Sequence, residues 1–204
     1  MSKLGGALTA TAVGLFTLPV YAHHPTGAEL PGNLFYGVLS GIGHPLIGLT
    51  HFVFMLGIGL LFALQPGMVL SRVMLFLAAT WMGALGQVMG LDILALEQMM
   101  ALGIVVAGLM LAWGRSAVLS SVLALSAAAG TLHGFAYAEE IVGARTGPLL
   151  GYFFGFTLVQ GVVLLSTILV TRKLIRGHTD NLVRRWEWVG GGILAGLGVL
   201  LLAI

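Results

Sequence analysis

The stretch Gly43 to Met55, GHPLIGLTHFVFM, sets two histidines seven residues apart in an otherwise uncharged, apolar run. Read as helix, that spacing is about two turns, so His44 and His51 share one face, with Gly48 between them and Met55 one turn beyond. The stripe offers imidazole, bare backbone, imidazole and thioether in order. Around it, residues 30–64 form a run too long for one straight crossing, which takes about 20 residues. Pro45 has no N–H to give to the preceding turn. The run is therefore predicted to break near Gly43–Pro45, into a short helix over 33–42 and a spanning helix over 45–64 with Pro45 in its first turn. Broken helices are tolerated in a membrane where the freed backbone lines a cavity.

Composition sets the class. Of 204 residues, 58% are hydrophobic and only 8% charged, and the mean hydropathy is +1.05. These values lie far outside soluble usage and predict an all-α, polytopic membrane helical bundle with no separate soluble domain. There is no cysteine, which excludes disulfides and thiolate metal sites; any metal must be held by His, Met, carboxylate or backbone oxygen. No phosphate-binding loop, nucleophile elbow or dinucleotide fingerprint is present, so neither an enzyme, a prosthetic group nor a nucleic-acid partner is expected. Pairs such as Gly37/Gly41, Gly86/Gly90, Gly151/Gly155 and Gly192/Gly196 lie on helix faces and predict close helix packing.

Along the chain, residues 1–22 read as a signal peptide: Lys3, an apolar stretch over 4–20, then Val20-Tyr21-Ala22. The competing reading is an uncleaved first span. Cleavage starts the mature chain at His23, leaving a single transmembrane domain over 23–204. A free amine beside the His23 imidazole, with His24 next to it, would chelate borderline divalent metals. Further spans are predicted over 69–88, 93–113, 117–138, 149–170 and 188–204, giving six mature transmembrane helices. Alternating crossings then put eight of the nine basic residues inside, with Arg145 alone outside. That bias supports the span count and a plasma (inner) membrane topology with the mature N-terminus outside and the Arg172–Glu187 loop cytoplasmic. Glu29, Asp92, Glu97, Glu139 and Glu140 fall at or near the outer face.

This topology brings His133 to a depth similar to that of His51, with Glu97 on a third helix near the same level. Each histidine could merely hydrogen-bond a neighbouring helix. Intramembrane polar groups are expensive, however, and a convergence of them points to a site. Neutral imidazole with carboxylate suits nickel, cobalt, zinc or copper rather than magnesium or calcium.

The chain resembles the HupE/UreJ family, small membrane proteins associated with hydrogenase and urease and regarded as nickel or cobalt permeases. The family's HPxxGxDH motif, with Met four residues later, is similar to HPLIGLTHFVFM here and carries over to His44, Pro45, Gly48, His51 and Met55. Its later HGxAHGxE is similar to HGFAYAEE, matching His133, Gly134, Ala136 and Glu140. A glutamate early in the third span resembles Glu97, and a histidine near the mature start looks like His23. The resemblance thus implies a metal site drawn from His44, His51, Met55, Glu97, His133, Glu140 and His23. The chain departs from the pattern at Thr50, where the family has aspartate, and at Tyr137 and Ala138, where it has histidine and glycine.

Two functions follow as expectations. One is a permease for a divalent transition metal, nickel or cobalt first, that supplies hydrogenase- or urease-type maturation. The other is a non-transporting metal-handling or assembly subunit, with copper as a candidate ion. The expected partners are the bilayer, the metal ion, metalloenzyme maturation proteins and a second copy of the chain.

Overall fold

The computed structural model describes residues 30–203; the expected signal peptide, His23 and Glu29 lie outside the described residues. Seven α-helices follow one another: α1 Leu34–Ile47, α2 Leu49–Leu64, α3 Val69–Val88, α4 Leu96–Trp113, α5 Leu119–Glu139, α6 Thr146–Ile175 and α7 Asp180–Leu202, with a short 3-10 turn, Gly114–Ser116, after α4. No strand occurs among the described residues. Helices α3 to α7 are each long and apolar enough to span a bilayer, and α1 with α2 forms a sixth candidate span, bent by 75°.

The bend falls at Gly48, later than the predicted Gly43–Pro45. Helix α1 starts on Asn33, whose Oδ1 accepts the Tyr36 N–H at 3.1 Å, and it continues through Pro45 to Ile47. Proline removes one helical hydrogen bond, but tight packing holds this stretch helical. A Cβ added at Gly37 or Gly41 would collide with the backbone of Pro148 or Tyr152 on α6. Only past that contact does the chain leave the helix. Gly48 then takes φ −67° and ψ 103°, donates its N–H to the His44 carbonyl, and accepts from Phe52 to start α2.

Close backbone approach recurs in three helix pairs. Gly37, Gly41, Gly151 and Gly155 seat α1 on α6, Gly83 and Gly134 seat α3 on α5, and Gly108, Gly191 and Gly198 seat α4 on α7. Glycine permits this because no side chain intervenes. Helix α2 packs differently, through side chains. Its Phe54, Met55, Ile58, Leu61 and Phe62 are fully buried against Ile104, Val122, Leu164 and Ile168.

The far end of α2 is tied by two arginines. Arg72 donates to the carbonyls of Phe62 and Gln65, each at 3.1 Å, and to that of Pro66. Arg172 donates to Ala63 at 3.2 Å and to Gln65 at 3.0 Å. The last carbonyls of a helix lack intrahelical donors, and a guanidinium fork meets that need.

The predicted 172–187 loop is mostly helical. Helix α6 runs on to Ile175 and α7 begins at Asp180, eight residues ahead of the expected span at 188. The charges cap these extensions: Arg172 and Lys173 lie in the last turn of α6 and Asp180 in the first turn of α7. Each has the sign that complements its helix dipole.

Candidate metal site

Four side chains from three segments form a line near one end of the bundle. His44 comes from the last turn of α1, His51 from the first turns of α2, His133 from α5, and Glu140 from the residue that caps α5. Glu140 Oε2 lies 2.9 Å from His44 Nδ1. His44 Nε2 lies 3.1 Å from His51 Nε2, and His51 Nδ1 lies 2.7 Å from His133 Nδ1. His51 is 6% exposed and His133 fully buried. The histidines therefore do meet, but not as one stripe on one helix. The bend at Gly48 separates His44 from His51, and it is across the bend that their rings face each other.

One set of neutral tautomers fits the row. Beside a carboxylate the favoured neutral tautomer of His44 carries its proton on Nδ1, toward Glu140, although that nitrogen makes no aligned hydrogen bond, and keeps its lone pair on Nε2. His51 then presents Nε2–H to His44 and accepts at Nδ1 from the Nδ1–H of His133. In that set His133 Nε2 carries the lone pair; the atom is buried and has no hydrogen-bond partner among the described residues.

Aromatic rings wall the row. Phe54 stacks on His133 with centroids 4.4 Å apart. The ring of Tyr137 stands 4.4 Å from that of His51 and 5.4 Å from that of His44. The Tyr152 hydroxyl donates to the Tyr137 carbonyl at 2.6 Å, and Phe156 stacks behind Tyr137. Neither wall was foreseen from the sequence; the signal that could have found them is spacing, since Phe54 is three residues past His51 and Tyr137 four past His133, so each shares a helix face with a histidine of the row.

The other expected residues lie apart from the row. Glu97 is exposed in the first turn of α4 and makes no hydrogen bond or ion pair with the imidazoles among the described residues. It belongs to an acidic group with Asp92, Glu139 and Glu140, which interact electrostatically at this end of the bundle. Met55 is fully buried in the apolar core of α2. Thr50 is half-buried in the first turn of α2. Among the described residues, no three His, Asp or Glu side chains converge on a single ion position; the ligand-type groups stand in pairs.

The chain matches the HupE / UreJ protein family over residues 11–201. It belongs to that family. HupE/UreJ proteins are accessory membrane proteins for nickel and cobalt uptake, and the multi-helical, apolar architecture here fits a multi-pass member. No curated protein and no solved structure matches the chain. Within the family pattern, Tyr137 stands where an imidazole is expected. Here its ring fills the space beside His44 and His51 and offers no nitrogen.

Proposed function

We propose that this HupE/UreJ chain is a membrane permease for a divalent transition metal, nickel or cobalt, and that it supplies the maturation of hydrogenase- or urease-type metalloenzymes. The observation that carries this reading is the row Glu140–His44–His51–His133, which leads from an acidic end of the bundle, past the helix break at Gly48, to the fully buried imidazole of His133 on α5. The acidic end faces outward, by the distribution of basic residues, and Asp92, Glu97, Glu139 and Glu140 raise the local cation concentration there. Glu140 draws the ion to His44, and the imidazoles exchange it for water. Imidazole nitrogen suits nickel and cobalt.

A second reading is favoured by the apolar core of α2 on the far side of the row, where Ile58, Leu61 and Phe62 are wholly buried. In that reading the chain holds the metal for a partner and does not carry it across. Accumulation of radioactive nickel or cobalt in cells expressing the protein separates the two. His44→Ala and His51→Ala are each expected to abolish accumulation while the amount of protein in the membrane is unchanged. Undiminished uptake in both variants would remove the assigned site, and metal binding without uptake in the unaltered protein would favour the second reading.

A further inference from the structure

We infer that His51 passes the cargo ion from an entry pair, His44 with His51, to a deeper pair, His51 with His133, and that the protein holds one ion at a time. This rests on the permease reading above. Four ligand-type side chains stand in contact, yet no three of them converge. The reason is the orientation of the His51 ring: its Nε2 edge faces His44 at 3.1 Å and its Nδ1 edge faces His133 at 2.7 Å.

A neutral imidazole carries one lone-pair nitrogen and one N–H. A neutral His51 therefore ligates through one edge or the other, and the two pairs are alternatives for a single ion; in the handover the ring proton leaves Nδ1 as the ion arrives there and a proton returns to the vacated Nε2. Metal–imidazole bonds of about 2.0–2.1 Å spread two nitrogens to about 3.4 Å at a tetrahedral angle. Both pairs stand closer than that, so each must open to admit an ion. The entry pair has the smaller distance to open, and the deeper pair, squeezed between Phe54 and Tyr137, has the larger. Entry is the easier step and the move past His51 the harder one.

His133 completes the sequence. Its Nε2 lies on the ring edge opposite to the one facing His51, and it is buried without a partner. A lone pair in that place costs stability unless something uses it. When the ion moves on, the His133 ring proton passes from Nε2 to Nδ1, and the freed Nε2 lone pair takes the ion on its way beyond the row.

The test uses the full-length protein, in detergent for equilibrium binding and in liposomes for uptake, with nickel(II) alone and cobalt(II) alone. The unaltered protein should bind one ion per chain and take it up. His133→Gln should still bind one ion per chain, within about threefold of the original affinity, while uptake falls at least tenfold. His51→Gln should lose both. Should His133→Gln fail to insert, His133→Asn, which keeps an amide near the Nδ1 position, carries the same expectations. Two ions per chain in the unaltered protein would overturn the inference. So would a loss of binding in His133→Gln as large as in His51→Gln, which would mean one three-histidine site, or uptake by His133→Gln at the original rate. An unaltered protein that binds neither metal would sink the permease reading along with it, whereas one that binds and transports with any of the three results above would sink the handover alone.

Discussion

Replacing Gly48 by alanine tests whether clearance at the bend sets the geometry of the row. Gly48 has φ −67° and ψ 103°, which alanine adopts without strain, so any effect comes from the added methyl group. That Cβ would stand 2.6 Å from His51 Cδ2 and 3.1 Å from the His44 carbonyl oxygen, where ordinary contact begins at 3.4 Å. The His51 ring must withdraw by about 0.8 Å, or the bend must open. Forcing a methyl into a filled site costs about 1–3 kcal/mol. Stretching the 3.1 Å contact between His44 and His51 forfeits about 0.5–1.5 kcal/mol more. The sum, roughly 1.5–4.5 kcal/mol, is lost from the stability of the folded protein. Thermal unfolding of the purified protein in detergent measures it directly. Gly161→Ala on α6 is the control, because no atom lies within 4 Å of its added Cβ; it should be neutral or stabilising by about 0.4–1 kcal/mol. Gly48→Ala protein that inserts normally and unfolds at the same temperature as the original would refute the clearance argument.

Thr50→Asp restores the carboxylate of the family motif. Thr50 lies in the first turn of α2, where a negative charge gains about 0.3–1 kcal/mol from the helix dipole, so normal membrane levels and tighter nickel binding are expected; poor insertion would contradict this placement. Arg72→Met keeps a long side chain but strips the arginine donor from the buried carbonyl of Phe62 and one of the two from that of Gln65, which Arg172 still serves. It should destabilise the protein by about 1–3 kcal/mol per carbonyl left unpaired, seen as earlier thermal unfolding in detergent with nickel affinity per folded chain unchanged; a wild-type melting temperature would show that Arg172 alone suffices.

Helix count and class were legible because apolar runs and turn residues are local signals. The expected 69–88 span coincides with α3, and the ends of α2 and α4 fall where predicted. The bend was misplaced because proline is only a local signal. What holds α1 helical through Pro45 is the approach of Gly37 and Gly41 to the α6 backbone, and no sequence window around Pro45 contains α6. The extent of α6 and α7 was underestimated for a related reason: hydropathy reads where a helix leaves the apolar slab, not where its hydrogen bonds stop. Within the site, the shared depth of His51 and His133 followed from the span count. The pairing of specific ring nitrogens did not, since it depends on the 75° bend that turns His44 toward His51. Nor did the carboxylate role of Glu140, read from resemblance alone, whose contact with His44 rests on how α5 ends.

The contrast between α2 and its neighbours bears on how such a row can work. The pairs α1/α6, α3/α5 and α4/α7 are joined backbone to backbone, and contacts of that kind leave little room for sliding. Helix α2 meets them through side chains, which repack more readily: its Gly57 faces a methyl group of Leu194 and its Gly59 faces Thr167. One end of α2 is fixed by Arg72 and Arg172, while the other is joined to α1 through the extended Gly48. The freedom of α2 is therefore concentrated at the end that carries His51. A tilt about the arginine end moves His51 relative to both His44 and His133, which sit on helices held in other pairs. Opening the two histidine pairs to about 3.4 Å takes roughly 0.3 Å at the first and 0.7 Å at the second, so a small tilt suffices to admit an ion to one pair and then to the other.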